Sequence, residues 1–425
     1  MELNCRLIPR DLLFFRDARP MEAADVGSGA RWPWPSVLHE AMLSAFQERW
    51  PDHNPELEHD HHFTDDERKR GTTCRFGGLK TVGPFPLIDG RPALPAPADL
   101  TAEGEGDRKT YGIMQPADVP GRTDLPSPLQ YPVARWSGPS KSTPGAWIPA
   151  EAMAAYLRGK TEDVKTWEAE CVGAVERRIG IGLDRETGTT KEGAFYGAEY
   201  LRIRVDRGVQ LAAGIECTNV VHSPAGRDTR DVFESWSKNG SAAVRFGGQG
   251  GVAAVEQLPA PLALPEPEIS GKWVKWVLLT PAVFGKVPKA DEPFHPGGWL
   301  PDWVTAADGC VQLRERPERR PGESRREWRG RFPKAPVGAR LVAARVPKPA
   351  PFSGWSLIRG EAKATRLAVP AGAVYYFEAD SEEEARRLVQ LLHLQRRSGR
   401  FGEKGFGIGV CGTWDLRTRS FGNRN

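Results

Sequence analysis

The 425-residue sequence predicts an α+β fold, with a few helices laid on one face of mostly antiparallel sheets. Three observations carry this expectation. Extended apolar stretches outnumber helical ones between the two ends of the chain. A helix-period stretch follows a strand near each end. The dipeptide Asp89-Gly90 separates two extended apolar runs, the strongest short signal for a hairpin turn.

Taken in order, Glu2–Ile8 places Leu3, Cys5 and Leu7 on one face of an alternating strand. The loop "PRDLLFFRDARPMEAADVGSGARWPWP" follows. Ser36 then stands as the N-cap of "VLHEAMLSAFQERW", where Leu38, Ala41, Met42, Ala45 and Phe46 form an apolar stripe, His39 lies off it, and Pro51 stops the helix. "GPFPLIDGRPALPAPADL" reads as a hairpin, and "AWIPAEAMAAYLRGK" as a short strand and helix. Pro259–Glu268, "PAPLALPEPE", has the composition of a linker. "KWVKWVLLTPAVF" is a buried strand and "AVYYFEA" another. "DSEEEARRLVQLLHLQRR" is a helix opened by a Ser381–Glu384 capping box, with Ala385, Leu388, Val389 and Leu392 on its apolar face. The organisation expected is an N-terminal unit over 1–258, a linker over 259–270 and a C-terminal unit over 271–416.

Apolar residues make up 39% and charged residues 27%, a globular composition, and no apolar run reaches the length of a membrane span. With no signal pattern at the N-terminus, the expected location is the cytoplasm. The six cysteines lack CxxC spacing and read as reduced structural thiols. The net charge is only +4, but Val311–Ala350 holds twelve Lys/Arg against four Asp/Glu, a local +8. "RERPERRPGESRREWRGRFPK" reads there as a flexible insertion.

Four stretches bear on chemistry. "RSGRFGEKGFGIGVCGTW" is rich in glycine and has neither a Walker A nor a dinucleotide fingerprint. Its free backbone N–H groups at Gly405 and Gly407, beside Arg396, Arg397, Arg400 and Lys404 and with Phe406, suit an anion; a helix C-cap with a tight turn suits them too. "FFRDARP" followed by "RWPWPSVLHEAM" sets Arg16 and Arg19 near Trp32, Ser36 and His39 at a helix N-terminus. That fits phosphate, or else a local Arg16–Asp17 pair with tryptophans stapling the helix. In "ERRIGIGLDRETGTTKEGAFYGAEYLRIRV", Arg177, Arg178, Gly180, Lys191 and Tyr196 interleave cations, glycines and aromatics as single-stranded nucleic acid requires, or as a charged hairpin face does. "VRFGGQGGV" is a second glycine turn, with Arg245, Gly247 and Gly248. His53, His59, His61 and His62 share an acidic loop, which reads as solvated rather than metal-binding. No metal and no cofactor is expected.

The order of these pieces resembles the third subunit of the type III-B CRISPR (Cmr) effector complex, a Cas5-like RAMP family. The resemblance runs over "LLFFRDARPM", "RWPWPSVLHEAMLSAF", "ERRIGIGLDRETGTTKEGAFY", "RFGGQGG", "LLTPAVF" with "GGWLP", and "EKGFGIGVCGTW". It implies two ferredoxin-like (RRM-like) RAMP domains with long loop and hairpin insertions. It further implies a non-catalytic subunit that holds the repeat-derived 5′ tag of the CRISPR RNA and contacts the Cas10-type large subunit and a backbone RAMP subunit, in antiviral defence. Gln249 stands where the family often has a glutamate, so no role of that acid carries over. The competing expectations are a metal-independent endoribonuclease using His39 and Lys191, a type III-D Cas5-like RAMP subunit, and a purely structural bridge.

Overall fold

The computed structural model describes residues 2–16, 26–27, 32–49, 78–118, 124–135, 138, 140–184, 186–217, 220–223, 226–229, 242–285, 298–318, 320, 322–356, 361–363 and 365–418, with the backbone alone at 2, 26–27, 107, 191–196, 220–223, 226–229, 355–356, 361–362 and 418. Arg19 and the histidine-rich loop lie outside these residues.

Strand β1 (Glu2–Pro9) leads to helix α1 (Pro35–Arg49), then to β2 (Lys80–Ile88) and β3 (Arg91–Pro95). The β2–β3 turn is the expected one: Asp89 and Gly90 both have positive φ, 49° and 76°. Next come β4 (Trp147–Pro149), α2 (Ala150–Leu157), the long strands β5 (Gly173–Leu183) and β6 (Thr190–Ile203), β7 (Gln210–Glu216), β8 (Ala242–Arg245) and β9 (Val252–Gln257). Seven of these strands form one sheet in the order β8-β9-β1-β7-β2-β3-β4. Strands β5 and β6 pair with each other, and β6 also pairs with Val26–Gly27 and, through an isolated bridge, Leu201 with Leu13.

After the irregular 259–270 stretch come β10 (Trp273–Leu278), α3 (Arg325–Gly330), β11 (Ala339–Arg345), the short pair β12 (Ala350–Phe352) and β13 (Arg366–Ala368), β14 (Val374–Ala379), α4 (Glu382–Leu392) and β15 (Gly409–Thr413). The second sheet has the order β11-β14-β10-β15, and every neighbouring pair is antiparallel. The two sheets share a plan. In each, the four strands β1, β2, β7, β9 or β10, β11, β14, β15 lie in the spatial order fourth, first, third, second. Helix α1 crosses between the first and second strands of its sheet, and α4 between the third and fourth of the other.

Alternation explains the cores. Leu3, Cys5 and Leu7 meet Leu38, Met42 and Phe46 of α1 and Leu211 and Ile215 of β7. Val274, Trp276 and Leu278 meet Leu388 and Leu392 of α4. The opposite face of β10 turns Val277 into a third cluster, with Phe85, Leu94, Met153, Tyr156, Tyr376 and Trp414, which draws on both sheets.

Three local expectations are corrected. Helix α1 begins at Pro35, with the Val37 N–H on the Trp34 carbonyl (2.9 Å), so Ser36 sits inside the first turn and proline takes the N1 position. His39 is 6% exposed rather than off the apolar stripe, because α1 is covered on more than one side. At α4, Ser381 Oγ accepts the Glu384 N–H (3.2 Å), but the Glu384 carboxylate turns away to the Gly338 N–H (2.6 Å) and to Arg387.

Candidate nucleic-acid interface

The predicted residues fall into three places. The first surrounds the glycine-rich loop. Backbone bonds tie this loop to both sheets: Thr81 N–H donates to Glu403 O (3.1 Å), Gly407 N–H to Pro281 O (2.8 Å) and Arg400 N–H to Val283 O (3.2 Å). Gly405 (φ 88°) and Gly407 (φ 71°) occupy left-handed backbone, and a Cβ on them would meet Thr81 O at 2.7 Å and Ser398 N at 2.1 Å. Their close approach is therefore to the protein's own backbone. Phe406 likewise is fully buried, stacked on Trp34 at 6.1 Å and tilted against Phe352 at 5.0 Å. Within the loop Gly399 is exposed and Arg400–Lys404 are half-buried.

Cations collect on this face. Lys404 pairs with Glu40 of α1. Burial pushes the Glu40 carboxyl up, but the charge and hydrogen bond of Lys404, helped by His39 and Lys363, outweigh it and hold the group below its ordinary value. Arg396 is committed to Glu216 (3.5 Å). Arg400 and Arg366 have no acidic partner among the described residues, and Arg400 Nε is buried with no hydrogen bond. Burial, then the charge of Arg400, lowers the affinity of Arg366 for its proton. Two unneutralised guanidiniums, beside the half-buried Phe401, form an anion-seeking surface with an aromatic wall. Beside the loop a cleft of about 190 Å³ is walled by Trp32, Trp34, Phe85, Trp147 and Pro281. Trp32 is fixed there by its Nε1–H on Pro84 O (2.9 Å) and by edge contact with Trp147 (4.9 Å).

The second place is the other end of α1, about 22 Å away along its 15 residues. The "RFGGQGG" turn packs on Phe14 and Phe15: Gly248 N–H donates to Phe14 O (2.9 Å), and a Cβ on Gly247 would meet the same oxygen at 2.8 Å. Arg245 is exposed, 3.8 Å from Glu48, and Arg16 is exposed at the end of the Phe14–Phe15 run.

The third place is the β5–β6 hairpin. Arg177 pairs with Glu199 (3.0 Å), and Arg178 with Glu176 (3.1 Å) while lying over the Tyr200 ring. Such exposed pairs contribute about 0–1 kcal/mol, so both arginines can exchange partners readily. Gly180 pairs with Tyr196 across the hairpin; Lys191 and Tyr196 are placed by backbone alone. On the Arg177 face, Val175, Ile179 (72%), Ile181 and Leu183 are exposed, an apolar stripe flanked by cations.

Sequence reasoning missed Phe352 on β12, Arg366 on β13 and Lys363 before it, of which Phe352 meets Phe401 of the loop at 5.4 Å. Nothing in "GEAKATRLAV" marks them, because a two-strand ribbon of three residues per strand leaves no periodicity. Among the described residues no group of His, Cys, Asp and Glu could hold a metal, and no helix is long and apolar enough to cross a membrane.

The family model described as CRISPR-associated protein (Cas_Cmr3) matches residues 5–414. The chain belongs to this Cmr3 family. It is a subunit of a type III-B CRISPR effector, as its ordered motifs led one to expect. Solved structures similar to this Cmr3-family chain include a chain of the type III-B Cmr-beta complex bound to cognate target RNA and AMPPnP, with 13% identity, TM-score 0.43, and coverage of 91% of this chain and 88% of that one. A second, from Cmr-beta bound to cognate target RNA, has 12% identity, TM-score 0.43 and the same coverage. One from the apo state has 10% identity and TM-score 0.27 over 61% of this chain and 98% of that one. No curated protein matches by sequence.

Proposed function

We propose that this Cmr3-family chain binds single-stranded CRISPR RNA at its 5′ repeat-derived tag without cleaving it, and joins the Cas10-type large subunit to the RAMP backbone. The observation that carries the RNA reading is the face formed by Arg366, Arg400, Lys363 and Lys404 around the half-buried Phe401–Lys404 turn and α1, with unneutralised guanidiniums beside an aromatic wall. Phosphates suit the guanidiniums, and splayed bases suit Phe401 and the tryptophan cleft. The apolar stripe of the β5–β6 hairpin is a further surface for bases. Burial of His39 removes it from the role of an accessible general base, which favours holding over cutting. Membership of the Cmr3 family is what supports the bridging role. Each four-strand unit, with its fourth-first-third-second order, is read as ferredoxin-like.

The test uses the full chain with CRISPR RNA, with and without the tag. Wild type should retain tagged RNA intact. Arg366→Ala/Arg400→Ala should weaken retention by about tenfold or more, since a hydrogen bond to a charged group contributes roughly 1.5–3 kcal/mol. The slope of log affinity against log salt should become shallower by about 1.4, or about 0.7 per phosphate contact. Tag-independent binding, or cleaved RNA, would sink the proposal.

A further inference from the structure

The arginine-rich segment that the sequence presents as a flexible insertion is folded over its described residues. Helix α3 opens on a complete capping box, with Ser324 N–H on Glu327 Oε2 (2.9 Å) and Glu327 N–H on Ser324 Oγ (3.2 Å). Trp328 Nε1–H donates to Pro317 O (2.6 Å), and its ring meets Phe332 edge-on at 5.0 Å. Arg331 grips Glu323 through two bonds of 2.6 and 2.8 Å, which hold that carboxyl down at about 2. Arg387 of α4 grips Glu315 at 2.6 and 2.9 Å.

The consequence is a sorting of charge. Three of the four acids, Glu315, Glu323 and Glu327, are used in holding the segment together; only Glu318 is left over. Arg316, Arg325, Arg326 and Arg329 are exposed with no ion pair among the described residues. Arg325 and Arg329 stand one turn apart on α3, about 6 Å between their Cβ atoms.

The segment also starts beside the glycine loop. Gln312 N–H donates to Trp303 O (2.7 Å), and Trp303 Nε1–H donates to Arg397 O (3.1 Å), at the entry to the loop. Burial and then the charge of Arg316 bring Arg397 down to about 10; its Nε–H donates to Leu391 O, and neither arginine has an acidic partner among the described residues. The charge of Arg316 is thus felt at Arg397, three residues before Arg400 of the loop face.

We propose that residues 314–318, 320 and 322–334 form a second phosphate-binding surface for single-stranded RNA, tied through Trp303 to the glycine-loop face. The proposal rests on the RNA-binding reading of that face. A polyanion is the partner that a run of arginines with inward-turned acids fits, and a flexible RNA backbone can follow such a run where a rigid duplex groove is not required.

The test is binding of polyuridylate to the full chain across a range of salt. Arg325→Ala/Arg326→Ala/Arg329→Ala should lower affinity at low salt by tenfold or more and flatten the salt slope by about 2, close to three single-strand contacts. The triple lysine variant should keep the wild-type slope, and the urea midpoints of all variants should agree, since these side chains hold nothing in the fold. If the triple alanine variant binds as wild type while Arg366→Ala/Arg400→Ala fails, the second surface is wrong and the loop reading survives. If neither variant loses affinity, or wild type binds no RNA at low salt, both fall. A triple alanine variant that keeps RNA but drops out of the assembled effector would make the surface a protein contact and overturn the proposal.

Discussion

Gly407→Ala is expected to destabilise the protein by about 4 kcal/mol, the size reached when backbone strain and overpacking coincide. The position has φ 71°, its new methyl would lie 2.1 Å from Ser398 N and 2.7 Å from Ser398 Cα, and its N–H is bonded to Pro281 O. No side-chain rotamer relieves a clash with backbone, so the loop must move and release Arg397 and Arg400 from their places. Gly402→Ala is the control. Its methyl would meet nothing nearer than 3.5 Å, and its effect should be near zero. Urea midpoints of the two variants should differ widely; equal midpoints would show that the loop is not held as described. RNA retention should fall with Gly407→Ala and persist with Gly402→Ala.

Asp99→Ala should cost about 2–6 kcal/mol, since it leaves two buried tyrosine hydroxyls unpaired at roughly 1–3 kcal/mol each. Asp99 is fully buried and accepts the hydroxyls of Tyr156 and Tyr376, each at 2.6 Å. Lys275, on the β10 face that meets α2, is 2% exposed, with Nζ 3.0 Å from Tyr156 O and 3.7 Å from the centre of that ring. Burial lowers the Lys275 ammonium from 10.5 to about 8, with the charge of Asp99 pulling the other way. Between those two values the unfolded chain holds the proton that the folded chain has lost, so the contribution of Lys275 to stability rises as pH climbs from about 8 to 10.5. Lys275→Met removes that rise. The difference in unfolding free energy between wild type and Lys275→Met should therefore shift in favour of wild type across this window. A difference that stays flat would place Lys275 in a wetter site than the structure shows.

How much of this was readable in advance depended on whether the decisive contacts were local. Strand β1, α1, the Asp89-Gly90 turn, β10, β14 and α4 announce themselves because alternation, helical period and turn chemistry act within a few residues. The glycine loop was visible as a loop, but its orientation was not. Gly405 and Gly407 owe their identity to Thr81 and Ser398, one of them more than three hundred residues away, so a pattern that looks open to a ligand closes on the protein. His39 sits off a stripe counted along one helix, yet it is covered because that helix is packed on more than one side. The charged 314–334 stretch failed for the opposite reason. Its high Arg and Pro content argues for disorder, while a capping box and a buried-edge tryptophan, both present in the sequence, hold it in a fixed shape. Lys363 and Arg366 had no local signal, and only the pairing of β12 with β13 sets Arg366 opposite Phe352.

The third apolar cluster, with Phe85, Met153 and Tyr156 on one side and Val277, Tyr376 and Trp414 on the other, has a consequence for how the protein comes apart. Neither half can be removed without exposing the buried face of its partner. Unfolding should therefore be a single cooperative transition. A proteolytic nick within 259–270 should yield two fragments that stay together on gel filtration and part only in denaturant. Expressed separately, each half should aggregate, and the two should recover solubility when produced side by side.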